Sequence, residues 1–176
     1  MKKILLFSMV LAIGIVSVAF HFKNEKADEP IIANRTVTQV AVIVKDIDKA
    51  REAWAEVLGV DPPEASVAES HPSRPTRYRG NPSDAKAKLA FFDMGNLQIE
   101  LIQPLGGKRT WQEFLDKNGE GIHHMAFSVK DINGIEQKFE MQGMPTVQNG
   151  GWEGGAYSYI DASESLGCIL ELLENY

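Results

Sequence analysis

Four side chains with oxygen or nitrogen donors interrupt otherwise apolar strands: Gln39, Glu100, His124 and Glu171. Glu100 lies between Ile99 and Leu101, and Glu171 between Leu170 and Leu172. A strand buries alternate residues, so a polar side chain inside an apolar run either faces solvent or has a partner. One His, one Gln and two Glu make a donor set suited to a divalent ion of intermediate hardness, such as Co, Mn, Ni, Zn or Fe. The chain has one cysteine, Cys168, which excludes an intramolecular disulfide and any CxxC zinc site. The thiolates of a structural zinc are therefore missing. For any one strand glutamate the ordinary alternative is a solvated outer face. Ligation gains ground because the four donors recur in pairs.

The pairs come from an internal repeat. Residues 39–47 (QVAVIVKDI) align without a gap against 124–132 (HMAFSVKDI), at an offset of 85. Residues 96–102 (NLQIELI) align against 167–173 (GCILELL), at an offset of 71. Gln39 thus matches His124, and Glu100 matches Glu171. Each leading strand runs into a helical pattern, at 46–58 and 131–142, with an aspartate at the N-cap. Ile47, Ala50, Trp54 and Leu58 form one apolar face, and Gly59 and Gly143 end the helices. Two further strands fit in each half, near 75–80 and 86–93, and near 145–149 and 156–161. The unit is strand, helix, then three strands, used twice. Chance likeness explains either pair alone, but explains both pairs in the same order less well.

The remaining chain sets the context. Of 176 residues, 44% are hydrophobic and 24% charged, which excludes disordered and low-complexity classes. A formal charge of −6 speaks against a nucleic-acid partner. Lys2 and Lys3 precede the uncharged run from Ile4 to Phe20, 17 residues long. That is the layout of a secretory signal, with Ser17-Val18-Ala19 as a cleavage site, or of an uncleaved anchor helix. Either reading of residues 1–20 places the remainder outside the cytoplasm. Contact with a membrane is expected only through this segment. Residues 21–35, charged and containing Pro30, read as a linker.

The unit and its donor residues resemble the vicinal oxygen chelate superfamily. The closer resemblance is to the methylmalonyl-CoA epimerases. It is carried by 89–96 (LAFFDMGN), 100–106 (ELIQPLG) and 114–124 (FLDKNGEGIHH) and spans roughly 37–176. Gln39 departs from the histidine usual in the epimerases, although some glyoxalases have glutamine there. The resemblance implies a glyoxalase-like α+β domain over 36–176. Its paired βαβββ modules, 36–104 and 121–176, form a cupped mixed sheet around one metal. It also implies a proton-carrying carboxylate seven residues ahead of a Phe, which is Asp84 counted from Phe91, where the family has Glu. Glu171 becomes the second proton carrier as well as a ligand. Asn81-Pro82-Ser83-Asp84 is equally ordinary turn chemistry.

Other residues keep two readings. Only His124 aligns with Gln39, and neighbouring strand residues face opposite sides, so His123 is expected to pack or to face solvent. Residues 148–155 (QNGGWEGG) suit either a mobile rim loop carrying Trp152 over a ligand or a plain hairpin. Arg77 and Arg79 suit an anionic substrate or a solvated face. Trp111 packs a short helix, and His71 is a loop histidine.

Chelation of two adjacent substrate oxygens would stabilise the enolate formed when an α-proton is lost. The expected function is thus a metal-dependent isomerase, epimerase or lyase acting on a small carbonyl or thioester. The alternative is an exported small-molecule-binding protein of the bleomycin-resistance type. An extradiol dioxygenase fits less well, because Gln39 replaces one of its two usual histidines. Export conflicts with a cytosolic coenzyme A thioester. A homodimer is compatible with this domain type.

Overall fold

The computed structural model describes residues 29–176. The expected export or anchor segment 1–20 and residues 21–28 of the expected linker lie outside the described residues. Residues 29–36 have no regular secondary structure. They are nonetheless packed: Ile31 and Ile32 rest against the core of the second half.

The first half comprises β1 (Val37–Ile43), α1 (Ile47–Leu58), β2 (Ser66–Ala68), β3 (Arg77–Tyr78), β4 (Asn81–Pro82), β5 (Ala87–Asp93) and β6 (Gln98–Pro104). After α2 (Thr110–Asn118) come β7 (Gly121–Ser128), α3 (Ile132–Met141), β8 (Thr146–Trp152), β9 (Gly155–Ala162), the short α4 (Ser163–Leu166) and β10 (Cys168–Asn175). One mixed, curled sheet runs β2-β5-β6-β1-β7-β10-β9-β8-β3-β4. The two modules meet where β1 and β7 pair antiparallel. Their register is self-matching. Gln39 lies opposite Ala126, Val40 opposite Met125 and Ala41 opposite His124. Each pair exchanges positions related by the offset of 85, so a pseudo-twofold axis passes through Val40 and Met125. The outer strands repeat the symmetry: β6 runs parallel to β1 with Glu100 at Ala41. Likewise β10 runs parallel to β7 with Glu171 at Ala126.

Both helices begin at the expected aspartates. Asp46 accepts a hydrogen bond from the Lys49 N–H, and Asp131 from the Gly134 N–H. These bonds satisfy amides that a helix start leaves open. Gly59 adopts φ 68° at the end of α1, a conformation open to glycine at little cost. α1 covers the convex face of the first module, with Ile47 and Ala55 against Ala90, Phe92 and Leu101. α3 does the same for the second, with Ile132 and Phe139 against Ile160, Leu170 and Leu172. Leu101, Leu170 and Leu172 therefore point outward under the helices. Alternation turns Glu100 and Glu171 to the concave side. Trp111, Phe114 and Leu115 of α2 pack onto Ala41, Ile43 and Ile102, closing one end of the cup.

The expected strand near 75–80 forms, but in another place. The module's second strand is β2, paired with β5. The β3–β4 hairpin instead joins the far edge of the other module, with Arg77 opposite Asn149 and Tyr78 opposite Gln148 on β8. Residues 69–76 thus form a strap between the two edges of the sheet. Arg74 anchors it to the second module by hydrogen bonds to Tyr176 Oη and Asn133 Oδ1, both 3.1 Å.

Phe139 is 4% exposed under the second module. Phe139→Ala should lower unfolding free energy by about 3–5 kcal/mol in urea titrations. Met141, 80% exposed on the same helix, should tolerate Ala within about 0.5 kcal/mol. Equal losses at the two positions would contradict this account of how α3 is held.

Candidate metal centre

The floor of the cup is built around two alanines. Ala41 and Ala126 lie diagonally across the β1–β7 pairing, both fully buried. Their methyl groups leave the space into which the side chains of neighbouring strands lean. His124 Nε2 comes within 3.0 Å of Glu171 Oε2 and 3.5 Å of Glu100 Oε2. One ligating atom from each of Glu100, His124 and Glu171 lies within 4.8 Å of the others. All three residues are buried, His124 completely.

The contact of His124 with Glu171 has ion-pair distance but not hydrogen-bond geometry. Both His124 Nε2 and Glu171 Oε2 are buried and have no hydrogen-bond partner. Buried polar atoms are normally satisfied, and leaving a charged one unsatisfied costs several kcal/mol. Buried atoms this close that are not aligned on each other fit a set of donors around a shared cation. The residues therefore fit a divalent metal. Gln39 is the fourth expected donor and lines the same cavity. Its amide nitrogen donates to Gln98 Oε1 at 3.0 Å.

His123 behaves differently from a plain alternating strand residue. Ala41 pairs with His124 and the next residue, Val42, pairs with Ile122. His123 is thus the extra residue of a β-bulge, and a bulge suspends alternation. It is 3% exposed rather than solvent-facing. Its Nδ1 lies 2.9 Å from Nδ1 of His124. Phe114 and Tyr159 meet its ring edge to face. For His124 to offer Nε2 as a ligand, its Nδ1–H must donate to His123 Nδ1, an assignment that follows from the network. His123 then orients the ligand, as a partner behind a metal-bound histidine does.

Burial opposes a proton on His124, but the carboxylates of Glu171 and then Glu100 outweigh it and push its pKa up to about 9. Burial raises Glu100, against the pull of His124. Burial, followed by the charge of His124, holds His123 well below its ordinary range. Burial likewise raises Tyr157 and Tyr159, so both phenols remain neutral hydrogen-bond donors.

Above the floor lies a cavity of about 760 Å³, lined by Gln39, Glu100 and Glu171 and by aromatic groups including Phe91, Trp111, Trp152, Tyr157 and Tyr159. Trp111 Nε1–H donates to Tyr159 Oη at 3.2 Å, and Gln148 Nε2–H to Tyr157 Oη at 3.3 Å. The glycine-rich run is a hairpin, not a free loop: β8 and β9 pair as far as Trp152 and Gly155. A Cβ on Gly155 would strike the Trp152 indole, and one on Gly150 would crowd Tyr157 at 2.9 Å. These glycines let aromatic side chains lie against the backbone.

Asp84 is not brought to this site. It is exposed, and it lines a separate pocket with Tyr78, Arg79 and Lys108. Its neighbour Ala85 faces the cup instead. Arg79 is held by Glu113 at 3.0 Å on that outer surface, and Arg77 donates to the Gly80 carbonyl. Neither arginine lines the cup. Sequence reasoning passed over Ala41, Ala126, Tyr157 and Tyr159. The alanines were visible as matched positions of the repeat, and the tyrosines as the alternating Tyr-Ser-Tyr of a strand.

Residues 38–160 match the family model of the glyoxalase/bleomycin resistance protein/dioxygenase superfamily. An uncharacterized Bacillus subtilis protein, YqjC, is 27% identical over 138 residues, 77% of this chain and 89% of that one. An ethylmalonyl-CoA/methylmalonyl-CoA epimerase of Cereibacter sphaeroides is 26% identical over 141 residues, 77% of this chain and 95% of its own. Among solved structures, a hypothetical protein of Bacillus halodurans C-125 superimposes with TM-score 0.58 at 24% identity, over 80% of this chain and 94% of that one. The methylmalonyl-CoA epimerase of Mycobacterium tuberculosis gives TM-score 0.54 at 23% identity, over 80% and 88%. These structures share the curled mixed sheet.

The raised pKa of His124 has a measurable consequence. Its folded value, about 9, exceeds the ordinary 6.5 of an exposed imidazole. The stability it contributes is complete below pH 6.5 and is lost as pH rises through 9. Thermal melts of chelator-treated protein should show Tm falling across that window, and His124→Asn should flatten the fall. An unchanged slope in the variant would place the titration elsewhere.

Proposed function

The chain belongs to the glyoxalase/bleomycin resistance protein/dioxygenase superfamily, and from that premise we propose that it is a metal-dependent enzyme of the isomerase class. On this reading it removes and returns a proton beside a carbonyl or thioester of a small substrate. The observation that carries the proposal is the convergence of His124 Nε2 with the Glu171 and Glu100 carboxylates, the first two atoms buried without hydrogen-bond partners. The epimerase relatives support the reaction class at the level of the family.

Glu100, His124 and Glu171 would hold the ion, with Gln39 as the fourth ligand. When bound, a divalent ion supplies electrophilic stabilisation to the oxygen that gains charge as the α-proton leaves. Glu171 is the proton carrier: its carboxylate reaches the cavity from the floor. The phenols of Tyr157 and Tyr159 donate hydrogen bonds toward developing negative charge. Trp111 and Trp152 restrict water around the bound substrate. Asp84, outside the cup, takes no part.

One feature favours the alternative of a binding protein. The β5 wall of the cup presents Leu89 and Phe91, neither of which can carry a proton. The two readings separate in heavy water. Metal-loaded protein is incubated with methylmalonyl-CoA and with the hemithioacetal of methylglyoxal, and deuterium at the α-carbon is followed. Exchange should occur with at least one substrate and persist within about twofold in Asp84→Ala. No exchange with either would leave sequestration as the function. Metal analysis is expected to give one divalent ion per chain. His124→Ala should empty the site, and His123→Ala should weaken it by about 10–100-fold.

We also propose that the domain works outside the cytoplasm, on the strength of Lys2-Lys3 and the uncharged run to Phe20. Residues 1–35 fused to a reporter active only after export should produce activity. A reporter that stays inactive would return the protein to the cytoplasm and remove the conflict with coenzyme A thioesters.

A further inference from the structure

Glu171 reaches the cavity from the floor. An enolate carbon is flat, and a carrier on one side of it returns a proton only to that side. Return from the far side needs a second carrier. Six ionisable residues line the cavity among the described residues: Glu69, His71, Glu100, Tyr157, Tyr159 and Glu171. Glu100 and Glu171 belong to the floor. Burial keeps both phenols neutral, so they donate hydrogen bonds but take up no proton. Glu69 is exposed at the rim and held by Lys86 at 2.8 Å. His71 remains, and an imidazole can both give and take a proton near neutral pH. The strap 69–76 places it opposite the floor. β1 and β7 lie at the centre of the sheet, and the strap joins β2 at one edge to β3 beside β8. A segment that links the edges of a curled sheet faces its centre across the concave side. Glu69, His71 and Thr76 of the strap accordingly all line the cavity. The strap is held along its length. Thr76 N–H donates to Ser70 Oγ at 2.8 Å, and Arg74 N–H to the His71 carbonyl at 3.1 Å. Arg74 lies so close to β8 that a Cβ on Gly151 would approach its own Cβ at 3.0 Å. The imidazole is oriented too. Its Nδ1 lies 2.7 Å from Ser73 Oγ and accepts from the Ser73 N–H at 3.3 Å. A hydroxyl accepts from a protonated Nδ1 and donates to a bare one, so Ser73 serves either state of the ring. Nε2 is left as the nitrogen open to a ligand. The ring is only half-buried, which lets it exchange protons with water.

We propose that His71 is a second proton carrier of this cup, acting from the strap on the side of the substrate opposite Glu171. It takes the place that counting along the chain gave to Asp84. The inference rests on the proposed isomerase reading of the cavity and adds a residue to it. The α C–H bond breaks toward the Glu171 carboxylate, and its electron pair passes to the carbonyl as an enolate. The pair then forms a new C–H bond with the proton on Nε2 of a charged imidazole. A neutral imidazole and a protonated Glu171 are left, and solvent resets both. In the reverse direction the two residues exchange roles. The transfer runs between floor and strap, so neither side wall has to supply a base.

The test follows product beside exchange. The zinc-loaded full chain is given methylmalonyl-CoA or the hemithioacetal of methylglyoxal in heavy water. The products read are the inverted epimer and the α-hydroxy thioester. His71→Ala should lower kcat for product by at least about 100-fold, with KM within about threefold. Exchange should fall less, because Glu171 can still remove and return a proton on its own side. Added imidazole should restore product formation by at least about tenfold. His71→Gln keeps a hydrogen-bonding side chain without a titrating one. It should stay as slow as His71→Ala and bind as much zinc as the unaltered protein. The inference is overturned if His71→Ala keeps product formation within about threefold. It is also overturned if His71→Gln recovers the full rate, or if imidazole leaves the His71→Ala rate unchanged. Loss of zinc from either variant would overturn it too, by assigning the effect to the metal site. These failures leave exchange by the unaltered protein intact and remove the role of His71 alone. No exchange by the unaltered protein with either probe would remove the isomerase reading, and the inference with it.

Discussion

The antiparallel contact of β1 with β7 is the constraint on which the site depends. Its register places Val40 opposite Met125 and sets Ala41 and Ala126 at the centre of the concave face. Small side chains there leave room for two carboxylates and an imidazole from adjoining strands to converge. A one-residue slip between the modules would turn one set of donors to the convex side, beneath a helix. The buried leucines under α1 and α3 resist such a slip, because they would have to enter the cup. Packing on the outer face thus holds the polar geometry on the inner face.

Three ionisable groups buried together would ordinarily weigh against the fold. Here the burden is spread over strands fixed by long parallel and antiparallel ladders. His123 adds a further restraint. Its bulge moves a second imidazole behind the first, and the contact sets which nitrogen of His124 faces the carboxylates. Pre-orientation of this kind belongs to a ligand site more than to a core. A core gains more from apolar side chains of the same volume.

Much of this could be read from the sequence, because the repeat carries the symmetry. The offsets that align Gln39 with His124 and Glu100 with Glu171 are the offsets that the pseudo-twofold axis imposes. What stayed hidden depends on long-range pairing or on local backbone irregularity. Nothing near residues 77–82 shows that their hairpin joins β8 on the opposite module. The bulge at His123 breaks alternation without a marker glycine, so adjacent histidines looked as though they must face apart. Asp84 was placed by counting along the chain. Counting fixes distance but not side, and Ala85 is the residue turned inward. The glycines of 148–155 suggested mobility, whereas they make room for Tyr157 and Trp152.

The symmetry holds along the four central strands and is broken in the side walls. Phe91 lies opposite Glu100 on β5, and Tyr159 opposite Glu171 on β9. Leu89 and Tyr157 correspond in the same way, opposite Ile102 and Leu173. One wall is therefore hydrocarbon and the other carries two neutral phenols, held by Trp111 and Gln148. A hydrocarbon wall can orient a ligand but cannot exchange a proton with it. Between the β5 and β9 walls, any proton handled must come from β9. A substrate lying across the floor is thus offered an apolar surface on one side and hydrogen-bond donors on the other. That arrangement suits chemistry in which charge grows on an oxygen facing β9 more than a transfer that needs a base on each face.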